Sequence, residues 1–478
     1  MLALLLVLVP IAAGLVMLLL RSENATLAKA IGAIVAAATF VLALLVQNGS
    51  SELREFSFRW LSRPFESSFH FGVTSISIWL VLLLTVCTFC AVLATNVSRT
   101  RAFVAQLLLL EGSMLGLFLA RDLLVFALFW DLMLLPVFFV LIGWGQHHAT
   151  AWRYLLYNFA GGLTLLLATA AFGVLYGSTD VIGRGGVNLI GSWAPWIFAG
   201  FAFAFLVKTP VWPLHTWMPL TYADTPAPMV AVVSAVQSKA GLYGLIAIGM
   251  ALMPDSLRAS AMFFVVLGVI SLLYGAFTAL VQSDCKRVVA YSSLSHLGLI
   301  VVAIASFNPI ALQGALIYMV GHGLFSAALF LILGFVESRE DTRSLTRLGG
   351  LGAQNPRLAG ALCIASLAAL GLPGLAGFVG EIIILTGVFQ AGWIWAVVLA
   401  LIPIVLAAAY MLRLFQGIMN GPQVADLPVR PDLSWIEGLA LAPLVLALVF
   451  VGVNPHVLTT FDTRAYNAVA SIAQGTAR

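Results

Sequence analysis

Five ionisable residues stand inside stretches apolar enough to lie in a bilayer: Glu111 in LLLLEGSML, Asp131 in FALFWDLMLLP, Lys208 in FLVKTPVW, Lys239 in AVQSKAGLY and Glu381 in GFVGEIIIL. A charge at the bilayer centre costs at least about 2.5–3.5 kcal/mol, so such residues face a bundle interior, pair with one another or line a water path. Two chemistries fit them. They form static ion pairs that hold helices together, or they form a proton relay, because lysines and carboxylates in a low dielectric exchange protons when a neighbouring charge changes. His215 in PLHTWMP, His296 in YSSLSHLGL and His322 in MVGHGLF stand at helix breaks or among polar residues. Imidazole suits a shuttle near neutral pH, although each of the three also fits as a hydrogen-bonded core residue. Ser238, Ser292, Ser293, Ser295 and Ser326 fit either as interhelical hydrogen bonds or as holders of water between the charges. His147 and His148 read as loop residues.

The elements that position these groups follow from composition. The 478 residues are 62% hydrophobic and 9% charged, against roughly 25% charged in a soluble domain, so most of the chain faces lipid or other apolar helices. The apolar runs reach the ~20 residues that a helix needs to cross ~30 Å of hydrocarbon, and they lack the alternation of barrel strands. Hydropathy and punctuation predict an all-α polytopic membrane protein of about fourteen transmembrane helices, including 122–144, 193–220, 226–253 and 357–389. The first, 1–20, reads as a retained helix rather than a leader, since it has no basic flank. The connections 48–71 and 417–433 are too short to bury a core of their own.

Two helices are interrupted beside a charge. Pro210 and Pro213 follow Lys208, and Gly371, Pro373, Gly374 and Gly377 precede Glu381. Proline removes a backbone donor and clashes with the preceding turn, so both helices are expected to break there. Paired interruptions of this kind point to a transporter built from inverted repeats. One set of loops carries thirteen Lys and Arg, Arg21 and Arg430 among them, and the set that includes the termini carries eight, Arg464 and Arg478 among them. The positive-inside rule then puts the termini outside the cytoplasm.

Other chemistries are excluded by what the sequence lacks. It has no phosphate-binding glycine loop, no dinucleotide fingerprint and no cysteine pattern for an iron–sulfur cluster. Cys87 and Cys90 form a C-x-x-C inside an apolar run, where packing is the expected role. No local spacing suggests a metal site. The net charge of +4 is spread over loops, with no basic stripe for nucleic acid.

The stretches FLVKTPVWPLHTWMPLTYADTPAPMVAVVSAVQSKAGLYGLI, VQSDCKRVVAYSSLSHLGLIVVAI and YMVGHGLFSAALFLILG together resemble the antiporter-like subunits of complex I and of Mrp-type Na⁺/H⁺ antiporters, over about residues 100 to 415. The acid in GFVGEIIIL resembles the M branch (chain 13 type), where the L and N branches carry lysine. The resemblance implies three N-terminal helices (1–98), two inverted five-helix repeats, helices 4–8 (99–254) and 9–13 (255–416), each with a broken helix, and a last helix and tail (417–478). It implies a proton relay in which Asp131 partners Lys208, Lys239 is the central lysine, His296 and His322 bridge along the membrane, Glu381 is the terminal carboxylate and Glu111 an auxiliary acid. Pro210, Pro213 and Pro373 mark the broken helices.

The same resemblance implies a translocase subunit of a bacterial-type inner membrane, with no redox cofactor of its own. FMN, iron–sulfur clusters and quinone are expected in partner subunits, beside L-like and N-like membrane neighbours. A Mrp-type antiporter subunit, a membrane subunit of an energy-converting hydrogenase and a structural subunit with static ion pairs remain as alternatives. The departure from the family pattern is Asp131, where glutamate is usual. One methylene shorter, it needs a closer helix approach or a bridging water to meet Lys208.

Overall fold

The computed structural model describes residues 1–20, 24–48, 54–184, 187–421 and 431–459. Arg21, Arg430, Arg464 and Arg478 therefore lie outside the described residues, as do 422–430 and 460–478 of the C-terminal segment expected over 417–478. Among the described residues, twelve helices are long and apolar enough to cross a bilayer, and two further crossings are each assembled from a pair of shorter helices. In chain order these are α1 (Leu2–Leu19), α2 (Ala25–Asn48), α3 (Ser77–Ala94), α4 (Thr100–Leu119), α5 (Leu123–Leu132 continued by Leu134–Trp144), α6 (His148–Tyr176), α7 (Ala194–Lys208, then Met218–Asp224) and α8 (Ala227–Met250). They continue with α9 (Ala261–Val281), α10 (Cys285–Ala305), α11 (Pro309–Glu340), α12 (Pro356–Ala369, then Ala376–Gln390), α13 (Ile394–Met419) and α14 (Trp435–Val453).

The apolar stretches of α8, α10 and α11 are 94% buried, against 33% for α1, α2 and α13. The three helices richest in polar motifs thus run through the protein interior, and their serines, lysine and histidines face other helices rather than lipid. Short polar side chains start the elements. Asp122, Asp284 and Asn308 cap α5, α10 and α11 by accepting from the first free backbone N–H groups, and Ser434 with Glu437 forms a capping box on α14.

The connection 48–71, too short to bury a core of its own, leads into and carries most of a β-hairpin. β1 (Glu55–Leu61) pairs antiparallel with β2 (Ser67–Gly72), matching Ser57 to His70. The pattern FSFRW and FHF alternates with period two, which is the signal for it. The hairpin ties the ends of several helices together at one face. Asp122 accepts from Ser67 Oγ (3.0 Å), the Ser68 amide (3.0 Å) and Thr179 Oγ1 (2.9 Å). Asp180 meets His70 Nδ1 at 2.7 Å and Arg184 at 2.6 Å.

Burial raises the Asp180 carboxyl, but the His70 hydrogen bond and charge and the Arg184 guanidinium outweigh it and hold the group below the ordinary carboxylate range. A depressed folded pKa adds stability above the unfolded pKa that is lost as pH falls through the folded value. Asp180→Asn should therefore destabilise the detergent-solubilised protein by about 1 kcal/mol at pH 7. The difference from the unmodified protein should begin to shrink below pH ~4 and vanish only as the pH falls through the depressed folded value, as read by thermal melts across that range.

Candidate functional site

Lys239 sits at the centre of the bundle, fully buried, between two π-helical turns of α8, Val233–Gln237 and Leu245–Met250. In the first of these the Ser238 amide bonds to the Val233 carbonyl (3.2 Å), five residues back, so the Ser234 carbonyl is released from the usual helical ladder. That carbonyl accepts from Lys239 Nζ at 2.7 Å and from Ser238 Oγ at 2.9 Å. The ammonium also meets His322 Nδ1 of α11 at 2.6 Å. Ser326, one turn further along α11, donates to Ser234 Oγ (2.9 Å) and locks the two helices in register. Hydropathy predicts an uninterrupted helix over 226–253, and the two π turns depart from it, with no proline or glycine pair to announce the first.

From His322 the polar chain passes to His296 of α10. The two rings lie 5.6 Å apart, centroid to centroid, with Phe325 packed against both. His296 Nε2 meets Ser292 Oγ at 3.0 Å, and Ser292 meets the Tyr410 hydroxyl of α13 at 3.1 Å. His296 Nδ1 meets the Tyr318 hydroxyl at 2.5 Å, and that hydroxyl donates to Glu381 Oε1 at 2.5 Å. Glu381 lies just past the break in α12, where Gly371 (φ 79°) and Gly374 (φ 93°) take the left-handed conformation that only glycine adopts freely. A methyl at Gly371 would also collide with the Glu381 carboxylate.

Asp131 and Lys208 are arranged differently. The first half of α7 ends at Lys208, with Pro210 and Pro213 in the gap before Met218. The gap is held by the Trp212 amide donating to Ser271 Oγ of α9 (2.9 Å) and by Trp217 Nε1 donating to the Val207 carbonyl (3.0 Å). Lys208 is buried, and its Nζ makes no hydrogen bond among the described residues. It lies over the Trp130 indole, 5.2 Å from the ring centroid, within cation–π range. Asp131 is half-buried, and its Oδ1 likewise has no hydrogen-bond partner among the described residues. The two charges are thus neighbours without an ion pair, as the shorter aspartate leads one to expect. The Asp131 carboxylate rests on Gly162 of α6, where a methyl would overlap it.

The remaining candidates lie apart from this chain. Glu111 of α4 is fully buried and accepts from Thr39 of α2 at 2.8 Å, with its second oxygen unbonded among the described residues. His215, in the α7 gap, packs against Tyr274 at 5.0 Å rather than against the other histidines. His147 does more than fill a loop, meeting Asp224 at 3.2 Å. A cavity of about 730 Å³ opens where α3, α7, α8 and α11 meet one face, lined by Asp224, Lys286, Glu337, Arg339 and Arg343. There Lys286 pairs with Glu337 at 2.6 Å and Arg339 with Glu437 at 2.8 Å. Among the described residues no group of His, Cys, Asp and Glu is placed to hold a metal ion.

Residues that the sequence reading did not single out join the candidates. Tyr318 and Tyr410 complete the chain to Glu381. Gln237, inside the first π turn, donates to the Met133 carbonyl of α5 (3.2 Å), two residues beyond Asp131, and to the Tyr154 hydroxyl (3.0 Å). Tyr318 stands four residues before His322, hence on the same helix face, and that spacing was its one available signal.

Residues 120–407 match the family profile described as NADH:quinone oxidoreductase/Mrp antiporter, TM. The chain is 32% identical to a Mycobacterium tuberculosis protein named NADH-quinone oxidoreductase subunit M, over 98% of this chain and 94% of that one. Its fold is similar to a chain of respiratory complex I from Thermus thermophilus with bound NADH, with a TM-score of 0.89, 29% identity and all of both chains covered. A chain of the Mrp complex from Dietzia shares the fold, with a TM-score of 0.87 over 100% of this chain and 98% of that one at 21% identity.

The close seat of Asp131 on Gly162 yields a thermodynamic cycle. Gly162→Ala should lower thermal stability in detergent by about 1 kcal/mol or more, because the added methyl displaces the carboxylate. In an Asp131→Ala background the same change should be neutral or stabilising, because alanine is the better helix former by about 1 kcal/mol. Equal effects in both backgrounds would mean that the two residues are not in contact.

Proposed function

This chain belongs to the NADH:quinone oxidoreductase/Mrp antiporter family of membrane subunits, and we propose that it is the M-type proton-translocating subunit of a respiratory NADH:quinone oxidoreductase. The observation that carries this reading is the polar chain from Lys239 through His322, His296 and Tyr318 to Glu381, buried across the middle of the bundle. The names of the curated relatives support the choice of machine. Electrons move in partner subunits that hold FMN, iron–sulfur clusters and quinone, and this chain contributes no redox group. Its neighbours in the membrane are L-like and N-like subunits of the same fold. Residues 99–254 and 255–416 form inverted repeats, with α7 and α12 as the corresponding discontinuous helices.

The physical cycle is electrostatic. With Asp131⁻ drawn close, Lys208 is stabilised as the ammonium; with the carboxylate withdrawn, that attraction is lost and the proton moves on toward Lys239 through water. The indole of Trp130 gives the ammonium a second station once it has left Asp131. From Lys239 the proton passes along His322 and His296 to Glu381. Uptake uses the charged cavity at the face whose loops carry more Lys and Arg, and release follows from the α12 break toward the opposite face. A scheme of static ion pairs fits the site poorly. Among the described residues Lys208 has no hydrogen-bonded partner, and Lys239 is held by a carbonyl, a hydroxyl and an imidazole rather than by a carboxylate.

Inverted membrane vesicles with the assembled complex test the scheme through NADH-driven acidification. Asp131→Asn should cut the initial rate of pumping through this subunit by about a hundredfold or more, the scale of a lost acid–base group, with the subunit still assembled. Asp131→Glu should preserve it. Trp130→Leu should reduce pumping by a smaller factor, about threefold, in keeping with ~0.5–1 kcal/mol for the lost cation–π contact. Normal pumping by Asp131→Asn would move the role to another acid, with Glu111 the first to test.

A further inference from the structure

Three helices converge on one phenolic oxygen. Tyr318 of α11 is fully buried, and its hydroxyl lies 2.5 Å from His296 Nδ1 on α10 and 2.5 Å from Glu381 Oε1 on the second half of α12. The two groups that it joins are 3.8 Å apart at Nδ1 and Oε1, beyond hydrogen-bond range. Among the described residues the phenol is therefore the one hydrogen-bonded link between them. The packing reserves the place. At Gly380 a methyl would collide with the Tyr318 side chain, and at Gly371 it would collide with the Glu381 carboxylate. On the other side of the imidazole, Ser292 at Nε2 fixes the ring orientation and is itself held by Tyr410.

We propose that Tyr318 is a proton-carrying residue of the relay, passing protons between His296 and Glu381 through its hydroxyl. A phenol donates one hydrogen and accepts with its oxygen lone pairs, so the group can take a proton from one neighbour as it gives its own to the other. In the forward step the His296 imidazolium gives its Nδ1 proton to the Tyr318 oxygen, and the phenolic proton moves to Glu381 Oε1. One N–H and one O–H bond break, and two O–H bonds form. The imidazolium becomes neutral imidazole, the phenol is restored and the carboxylate becomes a carboxylic acid. Nothing is oxidised or reduced, and no charge rests on the tyrosine. After Glu381 releases its proton, rotation of the hydroxyl resets the link.

This inference rests on the relay reading above, and the experiment separates the two. Vesicles with the assembled complex are compared for NADH-driven proton pumping, protons moved per NADH oxidised and solvent deuterium isotope effect, in Tyr318→Phe, Glu381→Gln and the unmodified protein. Glu381→Gln should abolish pumping through this subunit, and Tyr318→Phe should lower its initial rate by about a hundredfold. Unimpaired pumping by Glu381→Gln would overturn the relay reading, and this proposal with it. If Glu381→Gln is impaired while Tyr318→Phe pumps at the unmodified rate, the proposal fails and the relay stands. Should Tyr318→Phe not assemble, a near-isosteric difluorotyrosine at position 318 decides. A carrier of altered acidity shifts the pH profile of pumping and its deuterium isotope effect, whereas a residue needed only for packing leaves both unchanged and so overturns the proposal.

Discussion

A charge within hydrocarbon must find polar partners inside the protein, and a regular helix offers none from its own backbone because each of its carbonyls and amides is already bonded. Breaks in the helices resolve this constraint here. Lys239 is solvated by the Ser234 carbonyl, which is free because α8 widens into a π turn there. Lys208 ends the first half of α7. Glu381 stands beside the left-handed glycine of the α12 break. Asp131 lies two residues before the irregularity at Met133, and Pro136 leaves the Leu132 carbonyl without its helical donor. Each charge of the proposed relay other than Glu111 thus adjoins a departure from α-helical geometry.

The breaks also divide the polar chain into two kinds of segment. From Lys239 to Glu381 the groups are held by hydrogen bonds, with one gap between the histidine rings. At Asp131 and Lys208 neither charge is hydrogen-bonded among the described residues, and a lysine resting on an indole is free to exchange that contact for another. The ordered segment suits transfer along a fixed path, and the unbonded pair suits a joint that moves. Gln237 connects them mechanically, since it belongs to the π turn before Lys239 and holds the Met133 carbonyl beyond Asp131. That bond gives a shift of α5 a direct contact with the π turn next to the central lysine.

Much of this was legible in the sequence because membrane helices are written in long apolar runs and their interruptions in proline and glycine. The fourteen crossings, the two discontinuous helices and the residues beside each break could be read directly, and the spacing of Lys208, Lys239, His296 and His322 carried the family resemblance. The π turns around Lys239 were not legible, since they arise from tertiary packing of α8 against α7 and α11 and leave no compositional mark. The hairpin was hidden for another reason: FSFRW and FHF form only short period-two patterns in a chain dominated by helix. Tyr318, Tyr410 and Gln237 are common residue types, and only the meeting of separate helices shows that they connect the charges. The absence of a direct Asp131–Lys208 pair was foreshadowed by the shortened acid, whereas the Trp130 contact that replaces it was not.

The claim on which all of this depends is that Lys239 carries protons rather than merely holding α8 to α11. The most direct measurement is the number of protons moved per NADH oxidised by the assembled complex with Lys239→Met, a change that keeps the length of the side chain and removes its charge. The account predicts a lower ratio with the subunit complement intact. A ratio equal to that of the unmodified complex would contradict it.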